Sequence, residues 1–392
     1  MNRETMLRIK KEIQTPAYVF DLDELSARFE KVRTGVGKRA HLCYAMKANP
    51  FLVQAMDGYA ERFEVCSPGE FRICERSRIP MEKIVVSGVN KEEAEIFRII
   101  KDYKGNGIFT IESAGQLELL ASCAERAGHK IKVLLRISSG NQFGVDEEEA
   151  CRMIERRSSY EWLEFMGLQY YSGTQKKKLP KIEKEIRYLD DLLEKMKNDY
   201  QYEARELEYG PGFYIPYFMN EECDEEGMLA EFAGILEGMK FQGEITLEMG
   251  RFLAAMCGYY FTSVVDQKET KGENFCIVDG GINHVNYYGQ MMAMKIPHIQ
   301  HLKEETEKPG EKSLFNVCGS LCTAGDVLVK QLPLQNLEVN DILVFERLGA
   351  YSVTEGIYLF LSRDLPRVMF HSREKGIVTV RESMTTDQWN SL

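Results

Sequence analysis

The chain of 392 residues is long enough to bury one large hydrophobic core and a second, smaller one. Its net charge of -11 speaks against nucleic-acid binding, because such proteins present a basic surface to phosphates. The charged first residues and the lack of a run of about 18 uncharged apolar residues predict a cytoplasmic protein without a membrane span, whose ten scattered cysteines stay reduced.

Eight short apolar runs alternate with segments of helical periodicity in the first two thirds of the chain. Strands that alternate with helices predict parallel βαβ units, and eight of them predict a closed (β/α)8 barrel. An open doubly wound sheet is less favoured, because no GxGxxG motif opens the first helix. The predicted strands are 41–47, 62–67, 83–88, 107–113, 132–138, 164–173, 207–212 and 245–250.

After residue 260 the predicted strands follow one another without long helices, which indicates an antiparallel β domain. PAYVFD, residues 16–21, is a further predicted strand, and this domain is where it could pair. We therefore predict a barrel over residues 24–262 and a β-rich domain formed by residues 1–23 plus 263–392.

Polar groups follow several of the predicted barrel strands, where the chemistry of such barrels lies. Lys47 ends the first strand, and Glu248 and Arg251 come at the end of the last. The glycine loop EYGPG lets backbone N–H groups approach a phosphate. Each feature alone has an ordinary explanation, such as a lysine that reaches into solvent. Together they supply the amine, the phosphate donors and the acid that a pyridoxal 5′-phosphate site needs.

Five motifs occur in one order along the chain: YAMKANP, EYGPGF, EMGR, CGSLCTAGD and GAYS. With them the sequence resembles the fold-type III pyridoxal-phosphate decarboxylases, the group that contains diaminopimelate and ornithine decarboxylases. The resemblance covers about residues 15 to 370. It implies a TIM-like barrel of the alanine racemase-like family, with a C-terminal antiparallel β domain, and a carboxy-lyase that releases carbon dioxide and an amine.

The resemblance also implies roles for individual residues. Lys47 would bind the pyridoxal 5′-phosphate aldehyde covalently, and Cys322 would protonate the carbanion that remains after carbon dioxide leaves. Because the family's cysteine serves the neighbouring subunit, a homodimer with shared active sites is implied. The residues implied to hold the cofactor are Lys47, Tyr171, Thr174, Gly210, Gly212, Glu248, Gly250, Arg251 and Tyr351.

Three departures from the family concern the substrate. Tyr171 stands where diaminopimelate decarboxylases have a histidine that stacks on the cofactor, with Thr174 in the place of their serine. Thr323 replaces the acid that binds a distal amino group, and Tyr287 lies near the place of an arginine that grips a distal carboxylate. Diaminopimelate is therefore disfavoured, since an unpaired substrate charge is costly to bury. The predicted substrate contacts are Arg136, Asp279, Tyr287 and Thr323.

The segments SGTQ, QFGVD, GPGFYIP, VDGG and LCT are similar to a side branch of the family. That branch includes the butirosin-pathway enzyme that decarboxylates glutamate held as a thioester on an acyl carrier protein. We expect α-decarboxylation of an amino acid or aminoacyl substrate, either free or bound to such a carrier. The basic run KKKLPK, residues 176–181, could receive an acidic carrier, although a solvated helix start is the plainer explanation.

Two other functions compete with decarboxylation. A racemase would use a barrel with the same cofactor, but the CGSLCTAGD and EMGR motifs do not belong to its pattern. A catalytically inactive relative that binds partner proteins would lose cofactor ligands, whereas the candidate ligands are present here. We expect no metal site, because His284, His298 and His301 lack compact ligand spacing.

Overall fold

The computed structural model describes residues 1–303 and 312–392. They form two compact units: the barrel unit, residues 29–214 and 223–253, and the sheet unit, residues 1–28, 215–222 and 254–392. The domain limits predicted from the sequence stay a prediction. They assign residues 24–28, 215–222 and 254–262 to the barrel, whereas the structure groups these residues with the sheet unit.

The strands of both units are short, and few exceed seven residues. In chain order they are β1 (Ala17–Asp21), β2 (Ala40–Ala45), β3 (Arg62–Val65), β4 (Ile84–Val86), β5 (Ile108–Ile111), β6 (Ile131–Ile137), β7 (Leu163–Tyr171), β8 (Glu206–Gly210), β9 (Glu244–Met249), β10 (Gly258–Thr270), β11 (Glu273–Val278), β12 (Ile299–Leu302), β13 (Lys312–Cys318), β14 (Val327–Gln335), β15 (Ile342–Glu346), β16 (Arg367–Ser372) and β17 (Gly376–Arg381).

Several helices that follow barrel strands begin at a side-chain cap. Ser67 accepts a hydrogen bond from the Glu70 N–H, and Ser113 accepts one from the Gln116 N–H. The helices are α1 (Arg3–Lys10), α2 (Leu22–Val36), α3 (Val53–Met56), α4 (Pro68–Arg76), α5 (Glu93–Asp102), α6 (Ala114–Ala127), α7 (Glu147–Glu155), α8 (Leu179–Tyr200), α9 (Glu225–Glu237), α10 (Arg251–Ala254) and α11 (Ser352–Glu355).

The barrel unit contains a closed barrel of eight parallel strands, β2 to β9, in which the last strand pairs with the first. This confirms the predicted (β/α)8 barrel. Side chains along each strand alternate between the barrel interior and the surrounding helices. The strands β3, β8 and β9 carry buried carboxyl groups at Glu64, Glu206, Glu208 and Glu248. So many buried acids need a structural or chemical explanation, because charged side chains are rarely buried without partners.

The sheet unit contains a nine-stranded sheet with the order β14-β13-β11-β10-β1-β16-β17. β15 joins it by pairing with β10, and β12 pairs with β15. Most pairs are antiparallel, as predicted, but β1 pairs with β16 and β11 with β13 in parallel. The strand predicted at 16–21 is confirmed as β1, between β10 and β16. Buried apolar side chains, among them Val19, Phe261 and Val344, form a core on this sheet.

Candidate active site

Lys47 lies just beyond the carboxyl end of β2, on a single 3₁₀ turn over Met46–Ala48. The strand ends there because Asn49 turns the chain: its side chain accepts a hydrogen bond from the Phe51 N–H at 3.1 Å. Pro50 then begins the next turn and has no N–H to extend a strand ladder. The Ala-Asn-Pro sequence thus delivers the lysine to the end of the barrel where the active sites of such barrels lie.

The amine of Lys47 contacts two buried carboxyl groups. Its Nζ lies 2.5 Å from Glu64 Oε2 and 3.1 Å from Glu248 Oε1. Glu64 is on β3 and Glu248 on β9, and these strands flank β2 in the barrel. The Cys66 thiol lies 3.9 Å from Nζ.

The two acids of this cluster, Glu64 and Glu248, have pKa values that are shifted in opposite directions. Burial opposes ionisation of Glu64, but the Lys47 ammonium and the hydrogen bonds from Lys47 and Glu248 together outweigh burial and lower the pKa of Glu64. Burial, followed by the negative charge of Glu64, raises the pKa of Glu248. Lys47 and Glu64 therefore form the charged pair, and Glu248 readily holds a proton.

Two glycine loops approach each other beside the cluster. Gly212, after β8, has a φ of +63°, and a Cβ on it would lie 2.0 Å from the carbonyl oxygen of Gly173, after β7. Gly250, after β9, lies so near the β2 turn that a Cβ would be 2.7 Å from the Ala48 Cβ. Backbone that approaches this closely leaves N–H groups accessible to an anion, because no side chain covers them.

Tyr171 ends β7 and packs its ring on Gly210, the last residue of β8. A Cβ on Gly210 would meet the ring of Tyr171 at 2.6 Å, so only glycine allows the ring this position. Burial raises the pKa of Tyr171, and the charge of Glu248 adds to the rise. The predicted Tyr171, Gly210, Gly212, Glu248 and Lys47 thus belong to one end of the barrel unit. Thr174 lies in the loop that follows β7, and Arg251 is buried at the start of α10.

Arg136, a predicted substrate contact on β6, is buried and has a partner within the barrel unit. Its Nη1 donates to Glu112 Oε2 at 3.1 Å, and its guanidinium lies 4.6 Å from the centre of the Phe143 ring. These contacts hold the arginine in place. Its role toward substrate stays a prediction.

In the sheet unit, Cys322 lies in an exposed loop between β13 and β14. Asp326 organises this loop: its carboxylate accepts hydrogen bonds from the Leu321 N–H at 2.7 Å and the Ile282 N–H at 2.8 Å. Side chains at Gly281 or Gly319 would collide with that carboxylate, at 2.7 and 2.3 Å. The glycines of VDGG and CGSLCTAGD therefore serve to join the two segments.

The other predicted residues of the sheet unit have internal partners or lie at its surface. The Asp279 carboxylate accepts hydrogen bonds from Thr15 and Thr262 hydroxyls, and the buried Tyr287 donates its hydroxyl proton to the Glu346 carbonyl at 2.7 Å. Thr323 is exposed beside Cys322, and Tyr351 adopts a positive φ of 67° at the start of α11. Roles for these four residues stay predictions.

Comparison with known proteins identifies the family. The family described as "Pyridoxal-dependent decarboxylase, C-terminal sheet domain" matches residues 17–349. The chain belongs to the pyridoxal-dependent decarboxylases. As a member it is a carboxy-lyase, which confirms the predicted enzyme class. The comparisons lend no support to the racemase or to the inactive binding protein.

Individual relatives of this decarboxylase cover nearly all of it. The L-glutamyl-[BtrI acyl-carrier protein] decarboxylase of Niallia circulans is 25% identical over 413 residues, which cover 99% of this chain and 95% of the relative. The diaminopimelate decarboxylase of Campylobacter jejuni is 27% identical over 371 residues, 88% of each chain. The crystal structure of the Helicobacter pylori diaminopimelate decarboxylase with L-lysine has a TM-score of 0.84 at 25% identity and covers 99% of this chain and 98% of that one.

Among the described residues of the decarboxylase, no helix combines the length and apolar character that a membrane span requires. The same residues contain no group of three or more His, Cys, Asp or Glu side chains arranged to hold a metal ion. Two of the histidines have other partners instead: His284 contacts the Tyr260 hydroxyl at 2.9 Å, and His301 contacts Asp341 at 2.8 Å.

The basic run at 176–181 was expected to be a solvated surface, but one of its lysines is buried. Lys176 is buried, and its Nζ lies 2.6 Å from Glu185 Oε2 on α8. Glu185 also accepts hydrogen bonds from Ser172 at 2.6 Å and Tyr209 at 2.7 Å, which links the lysine to β8. Lys176 is therefore part of the barrel's packing, whereas Lys177, Lys178 and Lys181 remain exposed.

The sequence did not predict roles for Glu64, the acid that contacts Lys47, or for Glu208 and Gln169 below it. All three are polar residues inside largely apolar strands, and each residue is at most 1% exposed. That pattern, a polar residue at alternate positions of a buried strand, was the signal available in the sequence.

Proposed function

We propose that this decarboxylase binds pyridoxal 5′-phosphate through Lys47 and removes the α-carboxylate of an amino acid attached to a carrier protein. The observation that carries the proposal is the Lys47 amine held between Glu64 and Glu248, 2.5 and 3.1 Å from their oxygens, at the end of the barrel. Few structural roles need a lysine there, since the surrounding strands already close the barrel through backbone pairing.

The residues present fit the cofactor. When bound, it supplies an electron-accepting ring joined to the substrate nitrogen, and the chain supplies the rest. Glu248 would give its proton to the ring nitrogen. The carboxylate that remains would pair with the protonated nitrogen and keep the proton there. Glu64 would orient the Lys47 amine. The ring of Tyr171 on Gly210 offers an aromatic face for stacking.

The phosphate would lie against the glycine loops. Gly212 and Gly250 have no room for a Cβ, so their backbone N–H groups can approach an anion closely. Arg251 is nine-tenths buried and begins α10 directly after Gly250, so its cation would balance the phosphate charge. Tyr351 and Cys322 of the sheet unit would complete the site in a homodimer, with Cys322 as the proton donor after carbon dioxide leaves.

A carrier-bound substrate is supported by the residues at the two positions where other family members bind the charged far end of the substrate. Thr323 and Tyr287 are neutral, so a substrate with a charged far end would leave that charge unpaired. A thioester removes one carboxylate charge and suits such a site. The relative from Niallia circulans is named for a carrier-bound glutamyl substrate. The several relatives named diaminopimelate decarboxylase make diaminopimelate the second candidate.

The test is carbon dioxide release from a panel of substrates by the purified enzyme supplied with the cofactor. The panel contains free L-glutamate, meso-diaminopimelate and glutamate loaded on an acyl carrier protein. We expect the fastest release from the loaded carrier. Faster release from diaminopimelate would contradict the carrier proposal, and no release from any amino acid, free or loaded, would contradict decarboxylation of this substrate class.

A further inference from the structure

Below the Lys47 cluster, Gln169 on β7 and Glu208 on β8 stand directly opposite each other in the barrel. Both are almost fully buried, with exposed fractions of 1% and 0%. Gln169 Nε2 donates a hydrogen bond to Glu208 Oε1 at 2.5 Å. This amide and acid therefore form a pair out of contact with solvent.

Each member of the pair has one further buried oxygen. Within the described residues, Glu208 Oε2 and Gln169 Oε1 have no hydrogen-bond partner. A buried oxygen without a donor is costly, and an ionised carboxylate would leave both oxygens in that state. A proton on Glu208 Oε2 gives both of them a partner at once, because the acid O–H can donate to the amide carbonyl beside it.

Burial of the Glu208 side chain also favours its neutral form. Arg62 is paired with Glu206 and Lys47 with Glu64, so the nearby cations are already committed to other acids. Burial raises the pKa of Glu208 to about 7, and the charge of Glu64 adds to the rise. Together they outweigh the Gln169 hydrogen bond and the charges of Arg62 and Lys47, which lower it. The groups that face it are Cys43 and Lys47 from β2 and its turn, Arg62 and Glu64 from β3, Gln169 from β7, and Thr246 and Glu248 from β9.

We infer that Glu208, paired with Gln169, is a positioning residue that stays a neutral acid and so keeps a third negative charge away from Glu64 and Glu248. Its effect on the reaction rests on the proposed function. With Glu208 neutral, Glu248 can give up its proton and carry the charge that pairs with the ring nitrogen. With Glu208 ionised, its negative charge would raise the pKa of Glu248, and Glu248 would keep its proton.

The experiment is a pH titration of the cofactor-free protein by infrared difference spectroscopy, which detects the C=O stretch of protonated carboxyl groups. We expect a protonated carboxyl band at pH 6 that is lost as the pH rises through about 7, and E208Q should lack it. E244Q, which changes an acid of β9 with a side chain that is 64% exposed, should keep it. Because an amide resembles a neutral acid, E208Q is expected to fold.

Glu248 also contributes a protonated carboxyl, so E248Q serves as the second variant: one band should survive in it and titrate near pH 7. In the holoenzyme, E208Q should move the alkaline limb of the rate profile to higher pH. No protonated band in the wild type at pH 6, or an unchanged band in folded E208Q, would overturn the inference. Because the infrared readout needs no cofactor, it is independent of whether Lys47 binds pyridoxal 5′-phosphate.

Discussion

Gly212 and Gly173 bring two barrel loops into contact: a Cβ on Gly212 would lie 2.0 Å from the Gly173 carbonyl oxygen. The close approach, together with a φ of +63°, explains why position 212 just after β8 is a glycine. The two loops can meet only while position 212 has no side chain.

We expect G212A to weaken the binding of pyridoxal 5′-phosphate strongly and to lower stability. The left-handed backbone alone costs ~1–2 kcal/mol for alanine, and the collision adds to this. Gly128 has a similar φ of +70° with nothing within 4 Å of its Cβ, so G128A is the matched control. Equal loss of cofactor affinity in both variants, measured by absorbance titration, would contradict a phosphate role for the Gly212 loop.

The buried acid Glu208 should make stability depend on pH. Its pKa rises on folding from 4.5 to about 7, so its stabilising contribution is complete below pH 4.5 and is lost as the pH rises through 7. The loss amounts to about 3 kcal/mol, since one pKa unit corresponds to ~1.4 kcal/mol. Chemical denaturation of cofactor-free wild type and E208Q should show stability curves that diverge over this range. Parallel curves would mean that Glu208 does not titrate there.

Asp326 should control the Cys322 loop from within the sheet unit. D326A leaves the buried Leu321 N–H and the partly buried Ile282 N–H without their acceptor, which costs about 1–3 kcal/mol. We expect a lower melting temperature and a changed alkylation rate of Cys322. D387A, which alters an exposed acid of the same unit, should change neither quantity. If D326A keeps the wild-type melting temperature and alkylation rate, the conformation of the Cys322 loop does not depend on Asp326.

The basic run divides into a structural and a surface part. K176E should destabilise the fold, because it places a negative charge beside the buried Glu185. K178E and K181E alter exposed charges. If they face an acidic carrier, each should raise KM for the carrier-bound substrate several-fold, about 1 kcal/mol, and spare turnover of a free amino acid. Equal effects on both substrates would argue against docking at this surface.

Much of this architecture follows from the sequence. Buried runs that alternate with helical segments specify the barrel strands, and the Ala-Asn-Pro after Lys47 marks a strand end that requires no tertiary information. The pairing of Gln169 with Glu208 could not be predicted, because the two residues lie 39 positions apart and meet only once β7 and β8 are in register. Lys176 could not be distinguished from its lysine neighbours for the same reason. Its burial depends on pairing with Glu185, which lies nine positions later on α8.

The central claim is that the amine of Lys47 is the group that binds pyridoxal 5′-phosphate. The protein is incubated with the cofactor, reduced with borohydride, digested and mapped by mass spectrometry. We expect the pyridoxyl label on Lys47, its absence in K47R, which keeps the positive charge beside Glu64, and its persistence in K101A, an exposed control in the barrel unit. A label on another lysine of the wild type, or no label at all, would contradict the account.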